Sequence, residues 1–221
     1  MATFEIVKQE ELKMVRAVLD NETIQAEAGA LHYMIGDIEL KTKAPSAKGF
    51  LTSMVTKESV MKPSYTGTGE VFFGPPIFGE YYTLELNNEE WVLDKGAYVC
   101  SDGDIEMGAF RNKAISGLVG GEGLFQTKIS GTGTVILKAQ GKVQIIDLDN
   151  QRLTVDGSFA VARQAHLKYA LKKAAKGLIG SVASGEGLVN VIEGQGRVLI
   201  APVPNLYQNL ISSYPLPSTS G

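Results

Sequence analysis

The chain has 221 residues, with 44% hydrophobic and 20% charged residues and a net charge of −3, which excludes a disordered chain and a coiled coil. That charge also excludes a globally basic nucleic-acid binder, though not a local basic patch. A single cysteine, Cys100, excludes an internal disulfide, and with His32 and His166 as the only histidines a His/Cys zinc site is not expected.

In chain order, the N-terminal residues include Glu5, Lys8, Glu10 and Glu11 and lack an apolar signal core, so no targeting segment is expected. Phe4 to Val7 reads as a hydrophobic edge strand. His32 stands in the apolar run Leu31 to Met34 and reads as a structural strand histidine. Thr83 to Leu86, Asn87-Asn88 and Glu89 to Leu93 read as a hairpin with an Asn turn. Cys100 reads as a small buried hydrophobe. Asp102-Gly103-Asp104-Ile105-Glu106 is too short for a calcium loop and reads as a turn. Gln144 to Leu148, Asp149-Asn150 and Arg152 to Val155 repeat the hairpin pattern. His166 to Gly177 suits an amphipathic helix, with Leu167, Leu171 and Ala175 on one stripe and Lys168, Lys172 and Lys176 on the next. The alignment of repeats described below competes with that reading. It ends a strand near Tyr169 and leaves the lysines in a loop or short helical turn. Val198 to Val203 reads as an edge strand leading into a proline-containing tail. With no run of 18 apolar residues, no membrane-spanning helix is expected, and the default location is the cytoplasm.

Two marks alternate three times. Glu58, Glu122 and Glu186 recur every 64 residues, each followed by a Gly-x-Gly: Gly67 and Gly69, Gly131 and Gly133, Gly194 and Gly196. Between them lie Gly29 to Tyr33, Gly96 to Cys100 and Gly157 to Val161, two of which continue to Asp37-Ile38-Glu39 and Asp104-Ile105-Glu106. The pattern indicates a triplicated unit. Each unit reads as short strands with frequent turns, which favours an all-β sandwich or barrel-like architecture with pseudo-threefold symmetry. The expected divisions are residues 1–82, 83–147 and 148–206, with a tail at 207–221. Units this small are expected to share one core.

Gly29-Ala30, Asp37-Ile38-Glu39, Gly67-Thr68-Gly69, Gly96-Ala97, Gly121-Glu122-Gly123, Gly131-Thr132-Gly133, Gly185-Glu186-Gly187 and Gly194-Gln195-Gly196-Arg197-Val198 together carry a family resemblance. The chain resembles the family named altered inheritance of mitochondria protein 24, whose bacterial members form a domain of unknown function. The resemblance implies a fold similar to the tryptophan RNA-binding attenuation protein, three copies per chain, and a ring-forming homo-oligomer. Fungal members of the family are associated with mitochondrial inner-membrane organisation. It supplies no catalytic motif.

The chemical candidates are few. Each Gly-x-Gly lacks the third glycine of a dinucleotide loop, because Phe72, Ile136 and Leu199 stand there. They read as bends needing positive φ. The three glutamates would cap turn amides or, if symmetric, line an axis. No nucleophile pairs with either histidine, so no catalytic residue, metal or cofactor is expected. From Arg163 to Lys176 the chain is basic and free of acids. Lys168, Lys172, Lys173 and Lys176 are therefore the candidate anion-binding residues, for an anionic polymer or membrane surface. The expected function is a non-catalytic scaffold or ligand-binding ring, with a trimer as the expected assembly. An RNA- or anionic-surface-binding ring and an unrecognised enzyme are the alternatives.

Overall fold

The strand Leu12–Ala26 shows how the sequence builds the sheet. Val15, Ala17 and Leu19 are buried at odd positions, then Ile24 and Ala26 at even ones. A strand alternates faces with period two, so such a change of parity requires one extra residue. Asn21 is that residue: it has φ of 56° and forms a β-bulge between Asp20 and Glu22. The same shift occurs twice more. Leu84 and Leu86 give way to Trp91 and Leu93 across Asn88 (φ 55°), and Ile146 and Leu148 give way to Leu153 and Val155 across Asn150 (φ 53°).

The protein, described from a computed structural model, is defined over residues 1–10, 12–42, 62–74, 79–112, 124–156, 159–173 and 188–204. Among the described residues twelve strands form one antiparallel sheet: β1 (Thr3–Gln9), β2 (Leu12–Ala26), β3 (Leu31–Thr42), β4 (Pro63–Phe73), β5 (Glu80–Leu93), β6 (Tyr98–Asp102), β7 (Glu106–Asn112), β8 (Leu124–Ala139), β9 (Gln144–Asp156), β10 (Ala160–Gln164), β11 (Lys168–Lys173) and β12 (Leu188–Ile200). The all-β expectation holds.

The pairing is regular. β4 lies between β2 and β3; β8 pairs with β5 on one side and with β6 and β7 on the other; β12 pairs with β9 on one side and with β10 and β11 on the other. Two short ladders join these groups. Ile24, Gln25 and Ala26 of β2 pair with Asp102, Ser101 and Cys100 of β6, and Trp91, Val92 and Leu93 of β5 pair with Gln164, Arg163 and Ala162 of β10. Each joint is also packed. Tyr81, Val99, Cys100 and Ile136 complete the core of the β2–β4 group, and Val161, Ala162, Leu199 and Ala201 complete that of the β5–β8 group. The β9–β12 group has a smaller core among the described residues, of Leu148, Leu167, Ile192 and Val198, with no contribution from a further group.

Three local expectations are corrected. β5 and β9 run straight through Asn88 and Asn150 instead of turning back. A two-residue hairpin turn of type I′ needs two successive residues at positive φ, and in each strand one asparagine alone has it. Residues 168–173 form strand β11, not a helix, a loop or the end of an earlier strand, because their backbone pairs residue by residue with Glu193 to Leu188. Val198 to Ile200 are not an edge either, since β9 and β10 flank them. Among the described residues Phe4 to Val7, within β1, do pair on one side only, with β2.

Candidate functional site

Among the described residues the sheet has two ends. The strand order runs from β3 at one end to β12, flanked by β11 and β9, at the other. β3 is exposed on both faces: Tyr33, Met34 and Ile35 are 40, 41 and 59% exposed, and Leu40 is 44% exposed. A strand with successive large apolar residues in solvent on both faces, and one open hydrogen-bonding edge, is a template for strand addition. Tyr33 stacks on Phe72 of β4 with ring centroids 4.3 Å apart, and the His32 ring meets Tyr33 edge-on at 5.1 Å.

The register defines what the edge resembles. Tyr33 pairs with Phe72, three residues after Gly69; Cys100 pairs with Ile136, three after Gly133; Ala162 pairs with Leu199, three after Gly196. Cys100 and Ala162 each also pair with the end of the preceding long strand, at Ala26 and Leu93. Tyr33 has no second partner among the described residues. At the opposite end, Leu153, Thr154 and Val155 of β9 pair with β12 alone among the described residues.

The chain matches the family described as Mitochondrial biogenesis AIM24 over residues 4–203. It belongs to that family. This AIM24 chain is also 29% identical over 189 residues to an uncharacterized protein of Streptococcus pyogenes serotype M6, covering 80% of this chain and 76% of that protein. An X-ray crystal structure of a Streptococcus pyogenes protein shares its fold, with a TM-score of 0.76 at 24% identity, covering 97% of this chain and all of that one.

The other candidate residues of the AIM24 chain divide by burial. Lys168 and Lys172 are exposed on one face of β11. Lys173 ends that strand, its side chain lies outside the described residues, and so does Lys176. Glu193, cross-strand from Lys168, is paired with Arg152. Arg163 leaves the basic face altogether, being buried in β10. Glu58, Glu122 and Glu186 lie outside the described residues.

All six Gly-x-Gly glycines have φ between 128° and 153°. At Gly67 a Cβ would stand 2.0 Å from the carbonyl oxygen of Asp37, so two backbones approach there more closely than any side chain permits. Each pair faces an asparagine bulge, and the Thr68 and Thr132 hydroxyls accept the Asn21 and Asn88 backbone N–H groups at 3.0 Å.

Cys100 is fully buried, and desolvation holds its thiol well above the ordinary thiol range. That suits packing, not nucleophilic attack. Asp102 and Asp104 flank a turn in which the Ile105 N–H donates to the Asp102 carbonyl at 3.3 Å. His166 is exposed, with Nε2 2.8 Å from the Gln195 carbonyl oxygen. Among the described residues no group of three metal-ligating side chains comes together, and no helix is long and apolar enough to cross a membrane.

Proposed function

We propose that this protein is a non-catalytic scaffold or ligand-binding protein made of three related units, which closes head to tail with further copies into a ring. Three copies are the working stoichiometry. The observation that carries this reading is the pair of complementary slots, unfilled among the described residues, beside Tyr33 to Ile35 on β3 and beside Leu153 to Val155 on β9. Twice within the chain the equivalent slots are filled, by β6 against β2 and by β10 against β5. Repeating that rule between copies pairs Tyr33 with Val155, Met34 with Thr154 and Ile35 with Leu153. It also gives the small third core the contribution that the other two receive from a neighbour. A head-to-tail contact either closes into a ring or grows into a filament, and closure removes both open edges.

The triplication rests on the threefold recurrence of the pairing scheme, the asparagine bulge and the paired glycines. A fold similar to the tryptophan RNA-binding attenuation protein and a pseudo-threefold relation between units belong to the same reading.

Light scattering on the purified chain tests the assembly. The expected mass is three times the 23.7 kDa of one chain. Ile35→Glu, which puts a charge in the proposed ladder opposite Leu153, is expected to return it to the mass of one chain. A wild type with the mass of one chain at micromolar concentration ends the proposal.

An anion-binding ring is the second reading, favoured by Lys168 and Lys172 sharing an exposed face of β11, which a ring would repeat around its circumference. Glu193 opposite Lys168 counts against it.

A further inference from the structure

His32 occupies a position that is buried at both joints within the chain. It is the extra residue of a β-bulge, between Leu31 and Tyr33, which pair with Phe73 and Phe72. Val99 is the extra residue between Tyr98 and Cys100, and Val161 that between Ala160 and Ala162. Val99 and Val161 are each 6% exposed, because each packs into the core of the preceding strand group. His32 is exposed.

A second residue follows the same rule. Tyr81, Val143 and Met14 each directly precede the residue that pairs with Leu137, Ile200 and Phe73 in turn. Tyr81 joins Val99 in the β2–β4 core, and Val143 joins Val161 at the β5–β8 core. Met14 lies beside His32, with its Sδ 3.2 Å from Nδ1. The core that corresponds for this third pair is that of a neighbouring copy's β9–β12 group, built on Leu148, Leu167, Ile192 and Val198.

We infer that protonation of His32 controls closure of the ring: the joint between copies forms while the imidazole is neutral and opens when it is cationic. This deepens the head-to-tail ring proposed above and rests on it.

The groups that face the position, among the described residues, do not compensate a cation. From β2 it meets Met14, and the adjacent Lys13 is paired with Glu80. From its own strand it meets the edge of Tyr33. The neighbouring core is aliphatic apart from Tyr169, whose hydroxyl donates to Asn190 Oδ1 at 2.7 Å. Burial pushes that phenol up to about 12, so it is uncharged where an imidazole titrates. The Arg163 guanidinium, 4.4 Å from the Tyr169 ring centroid, adds positive charge on that side.

The acid at the end of the facing strand is Asp156, which follows Val155 as Glu27 follows Ala26 and Asp94 follows Leu93. Val155 packs on the third core, and successive strand residues alternate faces, so the Asp156 carboxylate belongs to the other face. The first joint shows this arrangement. Glu27 pairs with Lys62, whose ammonium lies 4.8 Å from the Tyr98 ring centroid, while Ala26 and Val99 fill the core on the opposite side.

An imidazole ordinarily titrates near pH 6.5, and burial without a counter-charge disfavours its cation. The open chain therefore binds a proton that the closed joint excludes. Each joint weakens as pH falls below about 6.5, by up to about tenfold per pH unit and about thirtyfold at pH 5.

Sedimentation velocity of the full chain over a concentration series, at pH 8 and at pH 5, tests this. The wild type is expected to assemble at pH 8 and to need at least tenfold more protein to assemble at pH 5. Its far-ultraviolet circular dichroism spectrum should stay unchanged. His32→Val, which places here the residue found at the other two joints, is expected to assemble equally at both pH values. A wild type that assembles equally well or more tightly at pH 5 overturns the inference and leaves the ring standing. An acid response retained in His32→Val also overturns it. So does loss of the wild-type spectrum at pH 5, which assigns dissociation to unfolding. Should His32→Val fail to assemble at pH 8, His32→Gln takes its place, and an acid response retained there is equally fatal. A wild type with the mass of one chain at pH 8 is a separate failure, which ends the ring and this inference with it.

Discussion

The Asp102 carboxylate accepts the backbone N–H of Thr134 at 2.7 Å, across the short β6–β8 ladder. Gln164 does the same in the next group, its Oε1 accepting the Arg197 N–H at 2.8 Å. In both cases the acceptor stands two residues beyond the one that pairs with the third residue after a glycine pair, and it ends the short strand before a turn. Each satisfies an amide that the broken ladder would otherwise leave without an acceptor. Asp102→Ala is therefore expected to destabilise the chain by about 1–3 kcal/mol, the cost of a buried orphan donor. Asp102→Asn, which keeps an acceptor, should recover most of it. Urea denaturation of the three proteins checks this, and equal midpoints for the Ala variant and the wild type would refute the role.

Gly67 and Gly131 share a positive φ but not their surroundings. A Cβ at Gly67 meets the Asp37 carbonyl oxygen at 2.0 Å, whereas at Gly131 its nearest neighbour is the Asp104 carbonyl oxygen at 3.4 Å. Gly131→Ala is expected to cost about 1 kcal/mol, from the backbone conformation alone. Gly67→Ala must also part β3 from β4 and should cost clearly more. Thermal melts of the two variants decide the order.

Asn88 carries the parity switch of β5. Asn88→Gly, which accepts positive φ freely, is expected to leave stability within about 0.5 kcal/mol. Asn88→Val is expected to cost at least about 1 kcal/mol, because a β-branched residue resists the left-handed region. If Val is tolerated as well as Gly, the bulge is not what holds Leu84 and Trp91 on the same side.

Alkaline pH should weaken the fold. Cys100, Tyr98, Tyr81 and Tyr65 are all held above their ordinary values of 9.0 for the thiol and 10.0 for the phenols, with desolvation as the main cause. Each stays protonated in the folded chain at a pH where the unfolded chain ionises. Their contribution is complete below pH 9 and is lost as pH rises from there towards the folded-state values. Stability measured from pH 7 to 11 should fall above about pH 9, and Cys100→Ala should flatten the first part of the fall. A flat profile to pH 11 would contradict the burial of these groups.

Exchange of Lys168, Lys172, Lys173 and Lys176 for glutamine is expected to leave assembly intact and stability within about 0.5 kcal/mol. Retention on anionic vesicles and on single-stranded RNA, across a salt series, separates the two readings of this face. Loss of retention in the variant, with a wild-type slope near one power of salt per neutralised phosphate, would establish an anion-binding surface. Identical retention of both proteins makes the lysines ordinary solvated side chains.

The order and spacing of glycines were legible in the sequence because a positive φ or a close backbone approach leaves a residue-type signature. Gly67, Gly131 and Gly194 needed no structure to be found. The all-β class followed from the same turns and from runs such as Val135 to Leu137. The lysine segment misled for a definite reason. Residues four apart share a face both in a helix of period 3.6 and in a strand of period two, so Lys168 and Lys172 fit either, and pairing with Glu193 to Leu188 decided the matter. Asn88 and Asn150 misled because a lone left-handed asparagine and a hairpin turn look alike until the strand beyond is seen to continue. The lack of a second strand partner at Tyr33 and Val155 among the described residues, and the burial of Arg163 in β10, were decided by tertiary structure alone. They depend on which strands lie beside one another, and the groups around Arg163, from Val92 to Ile192, meet only when the sheet is built.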